Sequence, residues 1–163
     1  MLTGTFNLVV AIRLARKICP NCKTTKSIAE DQKFLYAKDS FKNFNQDLLK
    51  KEILARNITQ EQRDNFIQKG MMSVGTGKDP ATGETCAVCG GSGYKGRIGM
   101  FELMDYTEEL KGMLLDGKSV FDIEKYALQN GMINLERDGV LKVIKGTTTL
   151  DEVYRYVKTK FKA

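Results

Sequence analysis

The chain contains no histidine, only two prolines and only four cysteines among its 163 residues. Without histidine, neither a serine nor a cysteine nucleophile has its usual general base, so the common acyl-transfer arrangements are excluded. Acidic pairs do occur, at Glu108-Glu109 and Asp151-Glu152, but they fall in the first turns of predicted helices, where the helix dipole accounts for them. No catalytic residue is assigned, and the chain is expected not to be an enzyme by itself. Long apolar runs are also missing: the longest, Leu8 to Ile12, falls far short of the roughly 20 residues that cross a bilayer. No charged-then-apolar leader precedes it, so an intracellular, cytoplasmic chain is expected.

Hydrophobic residues make up 42% and charged residues 28% of the chain, as in an ordinary globular protein. The net charge of +6 and pI near 9.1 raise the question of an anionic partner. Basic runs are only two residues long and the lysines lie among acidic residues, a pattern that makes a solvated, salt-laced surface. No nucleic-acid partner is expected, because a concentrated basic face is lacking.

What the chain does have is two cysteine pairs, Cys19-Pro-Asn-Cys22 and Cys86-Ala-Val-Cys89. A two-residue spacer lets both thiolates of a pair reach one ion from a single backbone knuckle, and two knuckles complete a tetrahedral Zn²⁺ site. Such a site is closed, so its metal is structural and activates no water. Disulfides, a redox-active CxxC and unrelated core thiols are the alternatives. A reducing compartment disfavours the first, a surplus second pair the next, and the regular spacing the last. Cys19, Cys22, Cys86 and Cys89 are therefore the expected zinc ligands.

The pattern around the cysteines predicts a mainly α fold with a small β element: a zinc-stapled module made of a helical insert and a compact four-helix tail. Residues 1–22 are expected to form a helix, with Leu8, Ala11, Ile12 and Ala15 on one face, leading into the first knuckle at Pro20. Residues 23–85 read as a polar insert, with Phe41, Phe44, Leu48 and Leu49 on one helix, Thr59 and Gln62 capping another, and a glycine-rich loop from residue 73. Rich in Lys, Asn and Gln, it is expected to protrude. Residues 86–104 hold the second knuckle and a strand. From 105 to 163, four helices are expected, punctuated by Thr107, Ser119, Thr149, Gly117, Gly131 and Gly146, the last with Leu150, Val153, Tyr154, Val157 and Phe161 in one stripe.

Gly75-Thr76-Gly77-Lys78-Asp79 looks briefly like a phosphate-binding loop. It fails where Met72 replaces the first glycine and Asp79 the Mg²⁺-binding hydroxyl. No nucleotide site is read here.

Three blocks then resemble one family. Asn7 to Cys22, with Arg13-Leu14-Ala15-Arg16-Lys17-Ile18 entering the cysteines, is similar to the approach to the tetracysteine motif of the secretion ATPases that power type II secretion and type IV pilus assembly. Cys86-x-x-Cys89 followed by Gly93-Tyr94-Lys95-Gly96-Arg97-Ile98-Gly99-Met100-Phe101-Glu102 resembles the segment after that family's second pair. The tail matches at Gly131-Met132, Asp138-Gly139, Lys142-Val143 and Gly146-Thr147-Thr148-Thr149-Leu150-Asp151-Glu152-Val153. The sequence departs from the family at Ile12, where glutamine is usual, and in a long lysine-rich insert.

The resemblance implies the C-terminal part of a traffic ATPase. ATP and Mg²⁺ would belong only to the full-length parent, a hexameric motor at the cytoplasmic face of the inner membrane. Its implied partners are neighbouring motor subunits and the inner-membrane platform protein. Two other classes compete: a DnaJ-like chaperone zinc module, because Cys86 to Gly93 fits CxxCxGxG once, and a nucleic-acid-binding zinc ribbon.

Overall fold

A computed structural model describes residues 7–42 and 46–157. Among them lie seven helices and two separate two-stranded antiparallel ribbons, so the β contribution exceeds the single small element expected.

The first correction concerns the segment entering the cysteines. Leu8–Ile18 is a strand, β1, where a helix was expected. Apolar residues at three- and four-residue spacing also suit a strand with apolar side chains on both faces, and Val9, Val10 and Ile12 are β-branched. The partner decides between them. β4 (Tyr94–Asp105) runs antiparallel to β1 from Leu8↔Asp105 to Arg16↔Arg97, with a register irregularity before Ile18↔Tyr94. Side chains alternate along a strand, so Ala15 and Met100 turn inward with no exposure. Leu8, Val10, Ile12 and Leu14, with Phe101 and Leu103 opposite them, form an outward apolar face on which each is 41–51% exposed.

The second ribbon pairs β2 (Lys23–Ser27) with β3 (Met71–Gly75), so the residues just after Cys22 and the start of the expected loop are strands. Between these strands come α1 (Gln32–Lys42), α2 (Gln46–Ala55) and α3 (Gln60–Ile67). Thr59 and Gln62 make the anticipated reciprocal cap on α3. Phe44 lies outside the described residues. Contrary to the protruding insert expected, this region supplies much of the main core: Phe34, Phe41, Leu49, Ile58, Phe66 and Met72 are all buried there.

The reason lies in the tail. Its helices are α4 (Glu108–Leu115), α5 (Val120–Gln129), α6 (Leu135–Ile144) and α7 (Leu150–Tyr156). Eight residues of α6 are buried, including Val140, Leu141 and Val143, so this helix needs partners on several sides. It packs on β4, α7 and α3 at once, and the insert covers what would otherwise be wet apolar surface. The four tail helices consequently do not form one bundle. α6 and α7 join the insert core, whereas Leu110 of α4 and Ala127 of α5 build a separate cluster with Tyr106, Met104 and Ile123. Phe161 lies outside the described residues.

One buried acid ties these layers together. The Asp138 carboxylate on α6 accepts the backbone N–H of Phe101 at 2.8 Å, pairs with Arg56 Nη1 from the insert at 2.6 Å, and pairs with Lys142 one turn on. Lys145 Nζ adds a hydrogen bond to the Arg56 carbonyl at 2.7 Å. A charge this deep is tolerated only when fully partnered.

Because Phe66 is 2% exposed and meets Phe34 edge-to-face with ring centroids 5.3 Å apart, Phe66→Ala is expected to cost about 3–5 kcal/mol. Denaturant unfolding measures this; a loss well under about 1 kcal/mol would return the insert to the periphery.

Candidate metal centre

All four cysteines sit where a strand turns. Cys19 directly follows β1, Cys22 directly precedes β2, and Cys86 and Cys89 occupy the turn-rich connection from β3 to β4. The first pair thus follows a strand and leads into another strand, with no helix on either side. A redox-active CxxC at a strand-to-helix turn is not the geometry found here.

The topology brings the two pairs together. Sγ of Cys19 lies 4.0 Å from that of Cys86, Sγ of Cys22 lies 3.7 Å from that of Cys89, and all four sulfur atoms fall within 4.8 Å of one another. A tetrahedral ion with Zn–S bonds of about 2.3 Å separates its sulfur atoms by roughly 3.8 Å. The four thiols are free, and this quartet fits such an ion. Cys19, Cys22 and Cys86 are buried and Cys89 half-buried, and four thiolates would fill a tetrahedral ion and leave it no open position for a substrate or reactive water.

Backbone bonds fix the knuckles in register. The Cys19 N–H donates to the Gly93 carbonyl at 2.9 Å, the Cys86 N–H to the Gly77 carbonyl at 2.8 Å, and the Thr76 N–H to the Cys22 carbonyl at 3.0 Å. Gly75 and Gly77, the glycines of the phosphate-loop look-alike, serve this crossing. A Cβ on Gly75 would stand 1.9 Å from the Gly93 carbonyl oxygen, and one on Gly77 would stand 2.1 Å from that of Gly91. Close backbone approach needs glycine at both positions.

The thiols are electrostatically unequal. Burial pushes Cys22 up to about 11, with neighbouring thiols adding to the rise against a backbone hydrogen bond from Gly77. Cys86 is drawn down to about 6, chiefly by the Asn21 side-chain amide and then by backbone amides at Cys89 and Val88, against the effect of burial. A dication stabilises every thiolate and so supplies what Cys22 lacks.

A second network grips the strand that delivers Cys19. Glu152 on α7 has no exposure, yet its Oε2 accepts the Arg16 backbone N–H at 2.9 Å and its Oε1 accepts Arg16 Nη2 at 2.7 Å. Arg155 Nη2 approaches Oε1 at 3.2 Å. The Arg16 guanidinium lies 4.2 Å over the Tyr94 ring, and the Tyr94 hydroxyl meets Thr149 Oγ1 at 3.0 Å. Thr148 Oγ1 donates to the Arg16 carbonyl at 2.8 Å, while the Ile18 N–H donates to the Thr147 carbonyl at 2.9 Å. Thr149 does cap α7 through the Glu152 N–H, but the Glu152 carboxylate turns to Arg16. Locally, Arg16 falls in the segment expected to be a helix and Glu152 in the first turn of another, where the helix dipole accounts for it. No local signal linked residues so far apart in the chain.

Comparison with known proteins defines the class first: residues 1–155 match the family described as "Type II/IV secretion system protein". The chain belongs to this family. It is 27% identical over 153 residues to the type IV pilus assembly ATPase PilB of Myxococcus xanthus, covering 94% of this chain and 22% of that protein. With type II secretion system protein E of Aeromonas hydrophila it shares 25% identity over 158 residues, 97% of this chain and 25% of the relative. PilB of Thermus thermophilus is 42% identical over 71 residues, 44% of this chain and 8% of the relative. The chain therefore spans a quarter or less of the length of these curated relatives. Family membership separates it from the chaperone and zinc-ribbon classes. Among the described residues, no helix is long and apolar enough to cross a membrane.

Burial pushes Glu152 up, but the hydrogen bonds and charge of Arg16, with Arg155, pull it below the ordinary carboxylate range overall. A depressed folded-state pKa contributes stability that is present above the unfolded value and lost as pH falls through the folded one. Glu152→Gln is therefore expected to cost about 2 kcal/mol at neutral pH, given the charged hydrogen bonds involved. Its deficit against the parent chain should narrow as pH drops below about 4.5, the ordinary glutamate range. Denaturation at stepped pH checks this; a deficit independent of pH would mean that the charge contributes nothing.

Proposed function

We propose that this chain is the structural zinc-binding C-terminal module of a hexameric secretion ATPase that powers type IV pilus assembly or type II secretion. Four mutually close, largely buried thiols carry the reading, because that donor set suits a structural Zn²⁺ held by Cys19, Cys22, Cys86 and Cys89. When bound, the ion closes residues 23–85 into a loop, and structural zinc can add on the order of 10 kcal/mol to the folded state.

The module's work is positional. It holds the insert core, the β1–β4 ribbon and the tail as one body, so that force generated in the parent protein is passed on without slack. The outward apolar face formed by Leu8, Val10, Ile12, Leu14, Phe101 and Leu103 supports burial against other parts of the motor, since a contiguous apolar sheet face is unfavourable in water. Neighbouring subunits and the inner-membrane platform protein are the partners this reading assigns, at the cytoplasmic face of that membrane. ATP and Mg²⁺ act in the parent. The glycines of residues 75–77 are committed to backbone packing and Asp79 to a turn, which leaves no phosphate cradle there.

Elemental analysis of reduced protein should find one zinc per chain, and chelation should lower the unfolding temperature by many degrees. Protein with no metal and an unchanged transition on chelation would defeat the reading. The same preparation should hydrolyse ATP no faster than buffer; turnover that survives purification would place a nucleotide site within these residues.

A further inference from the structure

The two knuckles touch through more than the four sulfurs. Asn21, inside the first pair, directs its amide nitrogen at two acceptors of the other side: Cys86 Sγ at 3.4 Å and Asp79 Oδ2 at 3.2 Å. A side-chain amide has two N–H groups, and both are used. Asp79 is itself held, because its Oδ1 accepts the backbone N–H of Ala81 at 2.9 Å and of Thr82 at 3.4 Å. The turn is closed by backbone bonds between Asp79 and Glu84 at 2.8 Å and between Gly83 and Asp79 at 2.9 Å. One carboxylate oxygen thus secures the turn, and the other is left to orient the amide.

We propose that Asn21 and Asp79 are positioning residues of the metal centre: Asp79 aims the Asn21 amide so that it donates to the Cys86 sulfur across the two knuckles. The inference rests on the zinc reading given above. Its physical basis is charge. Four thiolates around a dication carry a net −2, and a donor aimed at one sulfur disperses part of that excess. Cys22 faces the Gly77 amide, and Cys86 receives the Val88 and Cys89 amides as well as that of Asn21. Among the described residues, Asn21 supplies a side-chain donor to the quartet from across the knuckles. Asp79 acts only through it. Asn21 is exposed and Asp79 half-buried, so neither is needed to fill the core.

Competition between the full chain and a chromophoric chelator for Zn²⁺ tests this, with Co²⁺ as a spectroscopic substitute. Asn21→Ala is expected to weaken Zn²⁺ binding about tenfold, the lower end for outer-shell partners. Asn21→Asp should weaken it further by setting a carboxylate beside both a thiolate and Asp79. Asp79→Ala should have a smaller effect than Asn21→Ala and add nothing to it in the double variant. A sulfur that loses a hydrogen-bond donor gives up electrons more readily, so the thiolate-to-Co²⁺ charge-transfer band should move to lower energy in Asn21→Ala. A merely structural role would not shift that band. Asn21→Ser replaces the alanine variant if the latter does not fold. Unchanged affinity and spectrum in the Asn21 variants would overturn the inference while leaving the zinc reading intact. Additive losses from Asn21 and Asp79 would overturn the link between them. A parent chain that takes up neither Zn²⁺ nor Co²⁺ would overturn both readings at once.

Discussion

Glu152 is sealed from water, and a carboxylate in that position must be fully paired or abandon its charge. Arg155 on α7 approaches it, but its closest partner is Arg16, which it grips by the main chain and the guanidinium together. That choice pins the end of β1 against the start of α7. With β1 pinned, Cys19 is delivered to a fixed place, its N–H bonded to the Gly93 carbonyl in the strand-entry turn that also follows Cys89. The thiol quartet and the carboxylate clamp are two ends of one short span of backbone, Arg16 to Cys19.

This coupling gives the module its mechanical character. A metal held by the cysteines would close residues 23–85 into a loop and remove chain entropy from the unfolded state, and the insert buries apolar surface by covering α6. Asp138 repeats the logic on the far side, joining the insert through Arg56 to β4 through Phe101. Each anchor crosses elements distant in sequence. A body built this way is expected to move as a unit, which is the property proposed for a module attached to a force-generating ATPase.

Much of this was legible in the residues, and the exceptions have physical causes. Cysteine spacing pointed to a quartet because ligand chemistry is local: two thiols on one knuckle need only a two-residue spacer. Helix ends at Thr107, Ser119 and Thr149 were legible for the same reason, since a cap is settled within one turn. β1 was misread because its apolar residues satisfy two periodicities, and only the distant β4 decides between them. Composition made the insert look peripheral, yet a few phenylalanines suffice to bury it when a helix such as α6 needs cover on several sides. Arg16 and Glu152 each had an adequate local explanation, and Asn21 had no signal beyond its place between two cysteines. Pairings across the whole chain leave no periodic trace in the sequence.

The thiol quartet and the Glu152 clamp are expected to open together. Amide hydrogen exchange on the chain with and without a chelator measures it directly. If they are one unit, chelation should raise exchange at Arg16, Ile18 and Cys19 and, by a comparable factor, along α7 from Val153 to Tyr156. Exchange that rises only in the two cysteine knuckles, with Arg16 and α7 as protected as before, would mean that the quartet and the clamp open separately.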